Sequence, residues 1–88
     1  MTTVYKRAVE LLEADIHDEL VALEPQGGTC FGFNAVAASV WRLLETPKSF
    51  AELREALLSQ YEVTSDECSN DLHDLLKAMK SEGLVEQA

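Results

Sequence analysis

The pattern of apolar and polar positions changes character once along the chain, near residue 34. Before that point it runs in short two-residue alternations. Leu11-Leu12-Glu13-Ala14-Asp15-Ile16 is followed by His17-Asp18 and then by Glu19-Leu20-Val21-Ala22-Leu23-Glu24. In the second run Leu20, Ala22 and Glu24 share one face, and Glu19, Val21 and Leu23 the other. Residues 4–13 fit a helical turn equally well. Pro25-Gln26-Gly27-Gly28 is a turn, because glycine adopts positive φ at little steric cost. In Thr29-Cys30-Phe31-Gly32-Phe33 the face holding Thr29, Phe31 and Phe33 should meet the rest of the core, with Cys30 and Gly32 facing away. Gly32 either relieves crowding or lets another backbone come close. Together these runs predict a three-stranded antiparallel meander over about 11–33, with His17-Asp18 in its first turn.

From Asn34 onward the period becomes 3.6. Asn34 is a good N-cap for a helix over about 35–45, in which Val36, Val40, Leu43 and Leu44 recur with Ala37 and Trp41 alongside. Thr46-Pro47 ends it, since the residue before proline leaves the α region. Ser49-Phe50-Ala51-Glu52 is a capping box opening a helix over about 50–60, with Phe50, Leu53, Leu57 and Leu58 apolar. Thr64-Ser65-Asp66-Glu67 is a second box, opening a helix over about 66–82. Cys68, Leu72, Leu75, Leu76 and Met79 form its apolar face, and Lys77 and Lys80 suit the negative end of its dipole. Gly83 is the expected helix stop, after which Leu84 and Val85 return to the core. The whole chain, 1–88, reads as a single α+β domain of winged-helix-like form, a three-stranded antiparallel sheet followed by three helices.

Composition narrows what such a domain can do. A chain of 88 residues, 47% of them hydrophobic, builds one core. It buries only roughly 60–65% of its unfolded surface. That leaves room for a shallow groove rather than a deep catalytic cavity. The formal charge is −9, from 16 acidic and 7 basic residues, and the cations are scattered. Phosphate neutralisation needs clustered Lys and Arg, so nucleic acid is not an expected partner. The acidity is either a solvated surface or a means of steering a basic partner.

Cys30, Cys68, His17 and His73 lack zinc-ligand spacing, so neither metal nor cofactor is expected. Cys68 has the period of a small buried hydrophobe and Trp41 that of a core anchor; His17 reads as a turn residue and His73 as exposed. No GxSxG, P-loop or HExxH pattern occurs, and no catalytic residue is assigned. Nor is there an Asp-Ser-Leu site for a carrier protein's prosthetic arm. A continuous apolar run of 18 residues is missing, as is a signal-peptide core, so the expectation is a cytoplasmic protein with reduced thiols and no membrane partner.

One stretch has a recognisable form. Gly28-Thr29-Cys30-Phe31-Gly32-Phe33-Asn34 leads into Ala35-Val36-Ala37-Ala38-Ser39-Val40-Trp41-Arg42-Leu43-Leu44. Pro47, Phe50 with Leu53, Tyr61-Glu62-Val63, Asp71-Leu72-His73-Asp74-Leu75-Leu76, Met79 and Gly83-Leu84-Val85 follow in order. Over residues 5–86 this resembles the PqqD-like family, the recognition elements of ribosomally made, post-translationally modified peptides. The resemblance implies a non-enzymatic domain that binds the leader segment of a precursor peptide as an added strand. It implies delivery of that peptide to a modifying enzyme: a radical-SAM protein, a lasso-peptide protease or a cyclase.

On that basis the peptide-binding edge would be Thr29, Cys30, Phe31, Gly32 and Phe33, and the helix wall Asp71, Asp74, Leu75 and Ala78. Spacing alone does not fix which side of the last helix faces the groove. The Asp71/Asp74 pair is otherwise solvated surface. A proline at Phe31 is expected to weaken peptide binding by removing a backbone donor. An exposed edge strand would also let two copies pair as a homodimer. The rival reading is a winged-helix transcription regulator, which Asp66, Glu67, Asp71 and Asp74 on the last helix argue against.

Overall fold

The computed structural model describes residues 3–16 and 19–88, so the His17-Asp18 turn lies outside the described residues. The chain runs β1 (Val4–Arg7), β2 (Leu12–Ile16), β3 (Glu19–Leu23), β4 (Cys30–Phe33), α1 (Ala35–Leu43), β5 (Lys48–Ser49), α2 (Phe50–Gln60), α3 (Ser65–Ser81) and β6 (Val85–Gln87). The expected meander is present, ordered β2-β3-β4 and antiparallel throughout. A second three-stranded sheet, β5-β1-β6, accompanies it. In that sheet Tyr5 lies opposite both Lys48 and Gln87, so the two ends of the chain are tied together. Residues 4–7 are therefore a strand, and the helical alternative for that region does not occur.

Local signals account for the helix boundaries. Asn34 Oδ1 accepts the Ala37 N–H at 2.9 Å. The Ser49 box closes in both directions: the Ser49 N–H donates to Glu52 Oε1 at 2.9 Å and the Glu52 N–H to Ser49 Oγ at 3.2 Å. Only half of the second box forms, the Glu67 N–H donating to Thr64 Oγ1 at 3.2 Å. At the end of α3, the Leu84 N–H reaches the Met79 carbonyl and the Gly83 N–H the Lys80 carbonyl. With Gly83 at φ 77°, this is a Schellman stop, in which a left-handed glycine satisfies carbonyls the helix leaves unpaired.

The core lies between the meander and the helices. Leu20, Ala22 and Phe33 supply the sheet side and are buried. On α1 the buried stripe is Ala37, Val40 and Trp41, continuing to Leu44; Val36 is exposed and Leu43 half-buried, so the stripe is rotated from the expected one. On α3 it is Cys68, Leu72, Leu76 and Met79, with Leu75 left half-buried at the margin. Burial raises the Cys68 thiol pKa above its ordinary value, in keeping with a packing role.

Trp41 joins the layers. Its ring stacks on Phe33 with centroids 5.7 Å apart, and the Arg7 guanidinium lies 4.3 Å from its ring centre. Its indole N–H donates to Glu13 Oε2 at 3.1 Å, and its carbonyl accepts from Arg7 Nε at 3.1 Å.

The Ser49 hydrogen bonds hold the Glu52 carboxylate below its ordinary pKa. A pKa lower in the folded than in the unfolded state stabilises above the unfolded value and ceases to do so as pH falls through the folded one. Thermal unfolding of wild type and Glu52→Gln between pH 7 and pH 3 should therefore converge at the acid end, because the Ser49 backbone N–H that chiefly lowers this pKa then faces an uncharged group in both. A constant gap across that range would show that the capping box does not titrate.

Candidate functional site

In an antiparallel ladder, directly opposed residues alternate between exchanging backbone hydrogen bonds and not doing so. The Glu24 N–H donates to the Thr29 carbonyl, which makes that pair a bonded one. Two residues along, Ala22 with Phe31 and then Leu20 with Phe33 are bonded pairs in turn, while Leu23 with Cys30 and Val21 with Gly32 are not. The backbone N–H and C=O of Cys30 and Gly32 therefore point away from β3. Among the described residues no strand occupies that far side of β4. The free border thus carries its donors and acceptors on Cys30 and Gly32. Phe31 turns its own inward, so a proline at Phe31 would break the pairing with β3 and leave the border's donors intact. This corrects the sequence-based expectation.

Beside the border runs a groove of about 470 Å³ between β4 and the C-terminal half of α3. Thr29, Cys30, Phe31, Gly32 and Phe33 line one wall; Leu75, Ala78, Met79 and Glu82 line the other, with Leu84 also at the groove. Asn34 and Ala37 complete the lining. Leu75 and Ala78 stand where the sequence reading put them. Asp71 and Asp74 do not line the groove. Asp71 lies one turn earlier on α3 and borders a separate cleft of about 60 Å³ with Val36, Tyr61, Val63 and Leu72. Asp74 is rotated about 100° from Leu75; its exposed carboxylate lies 3.7 Å from His73 Nδ1. Sequence reasoning left out Met79, Glu82 and Leu84 as wall residues. Met79 and Leu84 looked purely like core, and they also border the groove where α3 ends and the chain turns back at Gly83.

A larger depression, about 650 Å³, lies between residues 6–13 and the end of α1. Its charges are mixed, Lys6 and Arg7 facing Glu10, Glu13 and Glu45, and it touches the other edge strand of the meander, β2, only at Glu13. The groove beside β4 is therefore the better candidate. Among the described residues no group of three or more His, Cys, Asp or Glu side chains is placed to hold a metal ion. No helix there is long and apolar enough to cross a membrane.

The meander's outer face is apolar as well. Leu12 and Ile16 of β2 are 61% and 52% exposed, and they share that face with Ala14, Val21, Leu23, Cys30 and Gly32. Strand β2 turns its charged side inward instead: Glu13 bonds Trp41, and Asp15 pairs with Arg42. Gly32 sits in the middle strand-to-edge row of this face. A Cβ built there meets nothing within 4 Å, so crowding inside the folded chain does not explain the glycine.

The family model described as "Coenzyme PQQ synthesis protein D (PqqD)" matches residues 19–85. Two solved structures are similar along nearly the whole chain. "TbiB1 in Complex with the TbiA(beta) Leader Peptide" is 37% identical with a TM-score of 0.79, covering 92% of this chain and 94% of that one. "Lasso peptide synthetase B1 complexed with the leader peptide" is 28% identical with a TM-score of 0.74, covering 93% and 96%. No curated protein matches.

Because nothing in the folded chain requires a glycine at position 32, Gly32→Ala should leave stability unchanged or raise it by up to about 1 kcal/mol. Urea unfolding measures this; a clear loss of stability would return Gly32 to a purely structural role.

Proposed function

This chain belongs to the PqqD family, and from that premise we propose that it captures the leader segment of a ribosomally made precursor peptide and presents it to a modifying enzyme. The observation that carries the reading is the open border of β4, with outward backbone groups on Cys30 and Gly32, beside an apolar groove on α3. An extended peptide laid there would gain main-chain hydrogen bonds from those two residues. Its alternate side chains would enter the groove over Phe31, Leu75, Ala78 and Met79. The domain performs no covalent step; its role is capture and delivery. Strand addition draws its affinity from main-chain hydrogen bonds and its selectivity from pockets for alternate side chains, so a small core suffices.

The outer face of the meander is the natural seat for the enzyme. The side chains of a bound peptide that do not enter the groove would emerge beside Cys30 and Gly32, extending the apolar surface of Leu12, Ile16, Val21 and Leu23. An enzyme resting on that surface would touch carrier and peptide together. The missing side chain at Gly32 would let its backbone come close. Likeness to a lasso peptide synthetase chain favours a lasso-peptide enzyme, protease or cyclase, as recipient over a radical-SAM protein.

Titration with the leader of the precursor encoded beside this gene tests capture. Backbone amide shifts should centre on residues 29–33 and the second half of α3; shifts confined elsewhere would dismiss strand addition. Cys30→Pro, at the first residue of an edge strand where proline is tolerated, should keep the fold. It should weaken binding about 2- to 13-fold, the worth of one backbone hydrogen bond of about 0.5–1.5 kcal/mol. Phe31→Pro should unfold the meander. The double change Leu12→Asp with Ile16→Asp should spare peptide affinity and abolish co-purification with the enzyme; retained co-purification would place the enzyme elsewhere.

A further inference from the structure

The groove wall is apolar along Leu75, Ala78, Met79 and Leu84, with one carboxylate, that of Glu82. Its position is electrostatically adverse. Glu82 is the C-cap of α3, where the helix dipole presents its negative end and a cation would be stabilising. The Schellman bonds fix the backbone on either side of it, and the Glu82 N–H itself donates to the Ala78 carbonyl at 3.0 Å. Among the described residues Glu82 forms no ion pair. Lys80, two residues earlier and about 200° round the helix, points its ammonium at Gln87 Oε1, 3.2 Å away. A carboxylate thus stands on a pinned backbone, at the wrong end of a helix for stability, on a residue that lines the groove and, among the described residues, without a cation of its own.

We propose that Glu82 is a specificity residue that recognises a Lys or Arg side chain of the bound peptide. The proposal rests on strand addition at β4. It adds that the ligand combines alternating apolar residues with one basic residue at a fixed offset, where the strand passes the end of α3. The peptide's cation answers both the carboxylate and the helix terminus, which the free protein leaves facing each other.

A phage-displayed library of random twelve-residue peptides, selected on wild type, Glu82→Gln, Glu82→Lys and Asp66→Asn, tests this. Asp66 lies in the first turn of the same helix, about 24 Å away at 1.5 Å per residue, so its variant controls for net charge. Wild type and Asp66→Asn should select alternating apolar residues with Lys or Arg at one offset. Glu82→Gln should lose that enrichment, and Glu82→Lys should exchange it for Asp or Glu. A synthetic wild-type winner should bind Glu82→Gln about 2- to 5-fold more weakly, and 0.5 M NaCl should narrow the gap. The melting temperature of Glu82→Gln should hold or rise; a fall of several degrees would assign the carboxylate to the fold and overturn the proposal. Apolar-patterned winners without a basic position, or with one that persists in Glu82→Gln, would overturn it while leaving strand addition intact. Failure to select any patterned peptide would remove the strand-addition reading, and this proposal with it.

Discussion

The structure depends on the burial of Trp41. Its ring is fully enclosed, packed on Phe33 of the meander and capped by Arg7 of the terminal sheet. The magnitudes rank the contributions. Removing a buried aromatic of this size costs about 3–5 kcal/mol, whereas a part-exposed ion pair such as Arg7 with Glu13 contributes at most about 1 kcal/mol. The ion pair therefore orients the ring, and the packing holds the fold. Because Phe33 is committed to Trp41, β4 is anchored from its inner face, and its outer border needs no second strand to stay in place.

An unpaired border is hazardous, since any extended chain can add to it. This one is only four residues long and is flanked by α3. A formal charge of −9 on every copy also opposes like-with-like pairing. A border protected against its own kind by charge, yet bounded by apolar side chains, is suited to segments less acidic than the domain. The same distribution leaves the outer sheet face nearly free of charge, Glu19 being the acid opposite Ile16.

The helices and the meander were legible because each rests on a strong local signal. Asn34 and Ser49 have short polar side chains at helix starts, and Gly83 stands where a left-handed residue is required. Strands β1, β5 and β6 were hidden because two to four residues carry no period, and because their pairing links positions more than forty residues apart. The groove was half legible. Alternation marked residues 29–33 as a strand and the family resemblance made that strand the binding edge, but the helix wall depended on where α3 meets β4. Helical spacing places Asp71 and Leu75 on nearly the same face, and only tertiary structure shows that Val36 intervenes beside Asp71. Phe31 misled for a related reason: face alternation says where a side chain goes, while the direction of its N–H depends on the register with β3.

The terminal sheet brings the first and last strands side by side in opposite directions, with the Ala88 N–H bonded to the Val4 carbonyl. Val4 and Ala88 consequently lie side by side at one corner of the body. A fusion partner appended before β1 or after β6 would hang from the same hinge point, so the order of the two pieces in an engineered gene would matter little to their geometry. Pulled by those ends, the domain would open like a zipper, one rung at a time.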